Sequence, residues 1–180
     1  MGELKEINLK NGQNLIIRRP IEDDAEKMVN YSNIIGGESD NLLFGKNEFH
    51  LSVEQEREYI KNLNNSKDVF MVIGIINNKV VSIAQIRKLG RKRIEHNSEI
   101  AISVKKEYWG LGIGSVVMEQ LIEFAKNNNI INISLGVKAS NYKAINLYEK
   151  FGFKKVGCHK NYFNVNGVFD DEILMDLYLD

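Results

Sequence analysis

Gly110, Gly112 and Gly114 occupy alternate positions and are followed directly by Ser115, between a strand-like run and a run of helical spacing. At such a turn the first amides of the helix lack partners and the helix dipole adds partial positive charge, so a phosphate is favoured. The same spacing also makes a tight turn that binds nothing, and the glycines alone leave both readings open. Two familiar phosphate fingerprints fit poorly. The dinucleotide-binding turn needs a further helix-entry glycine after Gly114, and the P-loop needs a lysine there.

A second constellation follows. Asn141, Ala144, Ile145 and Tyr148 share one helix face by their spacing. From its spacing alone a tyrosine there reads as a core aromatic whose hydroxyl has found a partner. Glu99 precedes the glycine turn on its own strand, with the small Ala101 and Ser103 on the same face. It reads as an exposed strand carboxylate or as a general base, with His96 and Glu95 as weaker alternatives nearer the hairpin turn. Cys158 could carry an acyl group only beside a base, and His159, next to it on an extended strand, points to the other face. Arg87, Lys88, Arg91, Lys92 and Arg93 make one basic cluster, read as a solvated hairpin tip or a phosphate contact. Glu38 and Asp40 lie in the loop between the first two helices and Asp170, Asp171 and Glu172 near the last strand, where carboxylates are normally solvated.

These residues need a scaffold, and the spacing supplies one. Ile7/Leu9 and Leu15/Ile17 flank Asn11-Gly12, predicting a hairpin with a type I′ turn. Glu22–Tyr31 reads as a helix, 36–45 as a loop, and Ser52-x-x-Gln55 as a capping box opening a helix to about Asn65. Residues 70–76 and 79–88 are β-branched runs joined by Asn77-Asn78, and Ser98–Val104 alternates as the next strand. Ile113, Val117, Leu121 and Phe124 repeat at helical spacing, Ile131 to Val137 alternates, and a helix capped at Ser140 or Asn141 runs to Lys150 before Gly152. The end, 154–179, reads as two strands meeting at Asn166-Gly167. The order predicts an α+β fold, a mixed sheet with helices on its faces.

Composition narrows the classes. The 180 residues suit one domain over 1–180, and 43% hydrophobic with 27% charged residues is a globular balance. With 24 basic and 24 acidic residues the net charge is +0, which argues against a dedicated nucleic-acid binder. The one cysteine rules out an intrachain disulfide framework and a cysteine-based zinc site, and no metal is expected. The start lacks a signal-peptide run and no stretch approaches the roughly 18–20 apolar residues of a membrane span, so a cytoplasmic protein away from the membrane is expected.

Taken together, Val104-Lys105-Lys106-Glu107-Tyr108-Trp109-Gly110-Leu111-Gly112-Ile113-Gly114 and Asn141-x-x-Ala144-x-x-Leu147-Tyr148-Glu149-Lys150-x-Gly152-Phe153 resemble the Gcn5-related N-acetyltransferase superfamily over nearly the whole chain. The resemblance implies a mostly antiparallel sheet of about seven strands flanked by about four helices. It implies acetyl-CoA as cosubstrate, a primary amine as acceptor, and a monomer or homodimer. The pyrophosphate would lie on Trp109, Gly110, Gly112, Ile113, Gly114 and Ser115, and the pantetheine arm along the backbone of Ile102, Ser103 and Val104, near Asn141. Tyr148 would protonate the departing thiolate and Glu99 would serve as base. Trp109 departs from the family, which commonly has Gln or Arg there. Ribosomal-protein acetyltransferases share the Asp171-Glu172-Ile173-Leu174-Met175 pattern with enzymes of small amines, so the acceptor stays open.

Overall fold

The computed structural model describes residues 3–179. In chain order it contains β1 (Glu3–Asn8), β2 (Asn14–Arg18), α1 (Ala25–Ile35), α2 (Val53–Asn65), β3 (Val69–Ile76), β4 (Lys79–Lys88) and β5 (Asn97–Val104). Then follow α3 (Ile113–Asn127), β6 (Asn132–Lys138), α4 (Tyr142–Lys150), β7 (Lys154–Val165) and β8 (Val168–Tyr178). Among the described residues the sheet has eight strands in the order β1-β2-β3-β4-β5-β6-β8-β7. All neighbours are antiparallel except β5 and β6. The count exceeds the expected seven because both arms of the N-terminal hairpin join the sheet.

Local chemistry accounts for the boundaries. Ser52 accepts the Gln55 amide while the Gln55 side chain returns to the Ser52 amide, so α2 starts where the capping box predicts. Asn77-Asn78 and Asn166-Gly167 are left-handed at both turn positions, with φ of 48° and 62°, and 51° and 84°. That is the type I′ signature, whose twist matches the strands it joins. The first hairpin differs from its expected type I′ turn. Only Gly12 is left-handed, and the Leu9 carbonyl accepts the Gly12 amide while the Leu9 amide donates to Gln13. The extra residue places a bulge-type turn there instead.

Helices cover the two faces unequally. On one face α3 and α4 pack Val117, Met118, Leu121, Ile145 and Tyr148 against Ala84, Ile86, Ile133, Leu135 and Met175. On the other, α1 and α2 pack Met28, Tyr31, Ile60 and Leu63 against Met71, Ile73 and Val80. The second core stops at β4 and its immediate neighbours, so β5, β6, β8 and β7 leave that face without a helix. No helix among the described residues is long and apolar enough to cross a membrane.

Candidate active site

The centre of the sheet opens into a wedge. β5 and β6 pair only at Asn97–Asn132, Ser98–Ile133 and Glu99–Ser134, and from Ile100 onward they separate. The Lys105 amide donates to the Val81 carbonyl on the β4 side. By strand alternation Ser103 and Ala101 also direct their backbone groups to β4, whereas Ile102 and Val104 direct theirs into the wedge. Unpaired strand edges accept extended ligands by strand addition. Of the three backbone positions named from the resemblance, Ile102 and Val104 therefore face the opening and Ser103 does not. The Ser103 hydroxyl is held by the Tyr31 hydroxyl at 3.0 Å and itself donates to the Ile83 carbonyl.

Trp109 accounts for part of this geometry. Its indole N–H donates to the Val104 carbonyl at 2.7 Å, and Lys143 Nζ lies 5.6 Å from the ring centroid. The tryptophan thus ties the end of β5 to the turn after it and leaves the amide of Val104, with both backbone groups of Ile102, for a ligand.

The glycine turn presents its amides. Gly110 and Gly112 are left-handed, with φ of 79° and 88°, and Gly112 is the N-cap of α3. The amides of Ser115 and Val116 return to the Gly112 carbonyl, while none from Gly110 to Gly114 donates to backbone among the described residues. A Cβ at Gly110 or Gly112 would meet open space, so those two glycines serve backbone conformation. Gly114 serves packing, since a Cβ there would stand 3.0 Å from Leu147 Cδ2 on α4. Ile113 is buried in the core, so only its backbone can serve a ligand. Five free amides at a helix N-terminus fit the pyrophosphate of a nucleotide-bearing cosubstrate.

Asn141 caps α4, its Oδ1 accepting the Ala144 amide at 3.3 Å. That leaves its amide N–H groups for any other partner. Tyr148 sits one face along the same helix, its ring buried and 5.8 Å from that of Phe153. Burial pushes its hydroxyl up to about 12, and no hydrogen bond offsets this. The hydroxyl is thus a protonated donor with no protein partner among the described residues.

Glu99 stands at the apex of the wedge, exposed, on the face that α3 and α4 do not cover. His96 and Glu95 lie beyond it, exposed and before the strand begins. Tyr148 lies on the α3/α4 side, so the acid and base candidates approach the wedge from opposite faces. Other acidic residues separate clearly. Glu38 accepts the Lys106 amide at 2.7 Å and pins the turn after β5. Asp171 holds Lys160 and the Asn161 amide, and Asp170 faces Lys138 at 4.0 Å. Glu172 is buried on the open face, with Oε2 on His159 Nδ1 at 2.9 Å. That pair was visible in the sequence only as two polar residues; its partnership comes from the cross-strand register of His159 and Glu172. Cys158 is exposed and gains no base from His159, which is bonded to Glu172. The basic tip, 91–93, is exposed.

Comparison with known proteins agrees with this fold. The acetyltransferase (GNAT) family model matches residues 40–153. The chain is 28% identical over 165 residues to an N-alpha-acetyltransferase of Saccharolobus solfataricus, covering 84% of this chain and 87% of that protein. It is 34% identical over 76 residues to the [ribosomal protein bS18]-alanine N-acetyltransferase of Escherichia coli (strain K12), covering 42% of this chain and 51% of that protein. This chain thus spans about half the length of such bacterial relatives. Among solved structures, a GNAT-family acetyltransferase from Streptococcus pneumoniae superposes with a TM-score of 0.88 at 28% identity, over 92% of this chain and 99% of that one. The family match runs through both the glycine turn and the tyrosine helix, and on it the chain belongs to the acetyltransferase (GNAT) family.

Proposed function

We propose that this protein is an acetyl-CoA-dependent N-acetyltransferase that acts on a primary amine by direct attack in a ternary complex. The carrying observation is the wedge, which sets a free strand edge beside five unpartnered amides and a buried, unbonded tyrosine hydroxyl. Acetyl-CoA would supply the activated acetyl group. The amides of Gly110 to Gly114, with Ser115 and Trp109 beside them, would hold its pyrophosphate, and the edge at Ile102 and Val104, near Asn141, its pantetheine arm. Tyr148 donates its proton to the thiolate as it leaves, and Glu99 takes the proton lost by the amine, directly or through water. No metal enters this chemistry.

A small polar amine is the proposed acceptor. The names of the relatives favour a second reading, the amino terminus of a ribosomal protein, and the helix-free face across β5, β6 and β8 has room for an extended chain. We place the protein in the cytoplasm, as a monomer or homodimer, with no nucleic-acid partner. The exposed thiol of Cys158 is at home in a reducing compartment. Thiol release from acetyl-CoA, measured with a panel of polyamine, amino sugar, amino acid and peptide amines, tests the function. Amine-dependent release is expected from one class; cofactor binding without release from any would make the protein a CoA-binding sensor instead.

A further inference from the structure

Glu172 combines three features that Glu99 lacks. It is buried, it is bonded to an imidazole, and its carboxylate lies across a glycine. A Cβ at Gly136 would overlap Glu172 Oε1 and stand 2.6 Å from its Cδ. The position must therefore be glycine for this carboxylate to lie where it does.

Register fixes what the carboxylate faces. Glu99 pairs with Ser134, Lys138 pairs with Glu172, and His159 pairs with Glu172. Paired residues share a face, as do alternate residues of one strand. Glu99, Ser134, Gly136, Glu172 and His159 consequently lie on the α1/α2 face, in the part over β5, β6, β8 and β7 that those helices leave open. Gly136 is two residues past the last bonded pair of β5 and β6, level with Ala101, where the strands have already separated. Glu172 Oε1 therefore rests at the edge of the wedge, opposite the side from which Tyr148 approaches.

The charges around it leave that oxygen available. Lys138 turns toward Asp170 at 4.0 Å, and Asp176 accepts the Tyr178 hydroxyl at 3.2 Å. Oε2 is engaged by His159, whose ring stacks on Tyr162 at 5.5 Å. Three residues of β7, 160–162, are opposed by Asp171 alone, and Asn161 is left-handed there with φ 53°. This bulge brings Tyr162 back onto His159. Oε1 accepts no hydrogen bond among the described residues. Oε1 keeps a small opening to solvent, so one oxygen of this carboxylate is fixed by His159 while the other is accessible from the wedge and can accept from a cation.

We propose that Glu172 Oε1 binds the ammonium group of the acceptor at the wedge, with His159 as the positioning residue that aims the carboxylate. The proposal rests on the acetyltransferase reading and adds its acceptor-binding residue, leaving proton removal to Glu99. It assigns the acceptor as an amine that arrives positively charged.

Steady-state kinetics with the best amine of the same panel test this, with acetyl-CoA titration as the check on each variant's fold. Glu172→Gln keeps shape and removes charge. It should raise KM for the amine about tenfold or more, the size of a lost charge-assisted hydrogen bond, with kcat within about threefold and acetyl-CoA affinity unchanged. Gly136→Ala should reproduce the KM effect by displacing the carboxylate, and should add nothing in a Glu172→Ala background. His159→Ala should raise KM by a smaller factor, and His159→Gln, which retains a donor, should restore it. An unchanged KM in Glu172→Gln overturns the proposal, as does a fall in kcat alone, because the carboxylate would then act on chemistry. If Glu172→Gln fails to bind acetyl-CoA, Gly136→Ala decides by the same criterion. A wild-type protein that binds acetyl-CoA but acetylates no amine overturns the acetyltransferase reading itself.

Discussion

Tyr148 is kept protonated by burial alone. Its hydroxyl is pushed up to about 12 from an ordinary value near 10, so it stays protonated throughout the neutral range. Replacing it with phenylalanine removes the donor and preserves the ring that packs on Phe153. Turnover should fall by roughly a hundredfold or more, the usual worth of a positioned acid, while acetyl-CoA affinity stays the same. An unchanged turnover removes the hydroxyl from the mechanism. The sign of the pH effect follows from the raised value. The unfolded phenol ionises first, so its contribution to stability is complete below about pH 10 and is lost as pH rises through about 12. An alkaline limb near neutrality that persists unchanged in Tyr148→Phe would belong to another group. At this scale the sequence was informative about single residues and silent about pairs. Glu99 and Tyr148 stand out by type and spacing, whereas Trp109 closing on Val104 and Glu172 lying over Gly136 depend on contacts between separate elements.

Along the turn into α3, alternate glycines answer to different constraints. Gly112 needs a left-handed backbone at the N-cap, with φ 88°, and alanine there costs about 1–2 kcal/mol of strain. Relief of that strain would rotate the amides that the helix start presents. Gly112→Ala should therefore weaken acetyl-CoA binding as well as stability. Gly114 is limited by Leu147 Cδ2 on α4, 3.0 Å from where a Cβ would stand. Gly114→Ala should destabilise by pressing α3 away from α4, and Leu147→Ala should offset part of that loss by removing the obstructing methyl. Additive denaturation free energies for that pair would refute the contact. Elements of this kind were legible because capping and periodicity are local: the α2 capping box and the two left-handed hairpins appear where their residues predict. The Asn11-Gly12 turn was misassigned because its geometry depends on one bulged residue, which composition does not record. The separation of β5 from β6 is likewise non-local, since nothing within Ile100 to Val104 says where its neighbour stops.

For the molecule as a whole, three residue pairs are the only ladder between β1–β5 and the group β6, β8 and β7 among the described residues. The apolar core crosses that joint, with Ile133, Leu135, Tyr148 and Met175 in the same cluster as Val72, Ala84 and Leu121. Side-chain packing therefore couples the halves more than backbone hydrogen bonding does. Short ladders open more readily than long ones, so β6, β8 and α4 should exchange amide hydrogens through a sub-global opening of lower free energy than β3 and β4. Acetyl-CoA in the wedge would touch both halves, at the Ile102 edge and the glycine turn on one side and α4 on the other. At a concentration about 100 times its Kd it should raise the free energy of any opening that destroys the wedge by about 2.7 kcal/mol. Openings confined to the β1–β2 hairpin, at the far edge of the sheet, should not respond. Native-state hydrogen exchange with and without acetyl-CoA distinguishes these cases. Equal protection of the two halves in the free protein, or an equal response of the β1–β2 hairpin and of β6 to ligand, would mean that the sheet opens as one unit and that the wedge is no hinge in its stability.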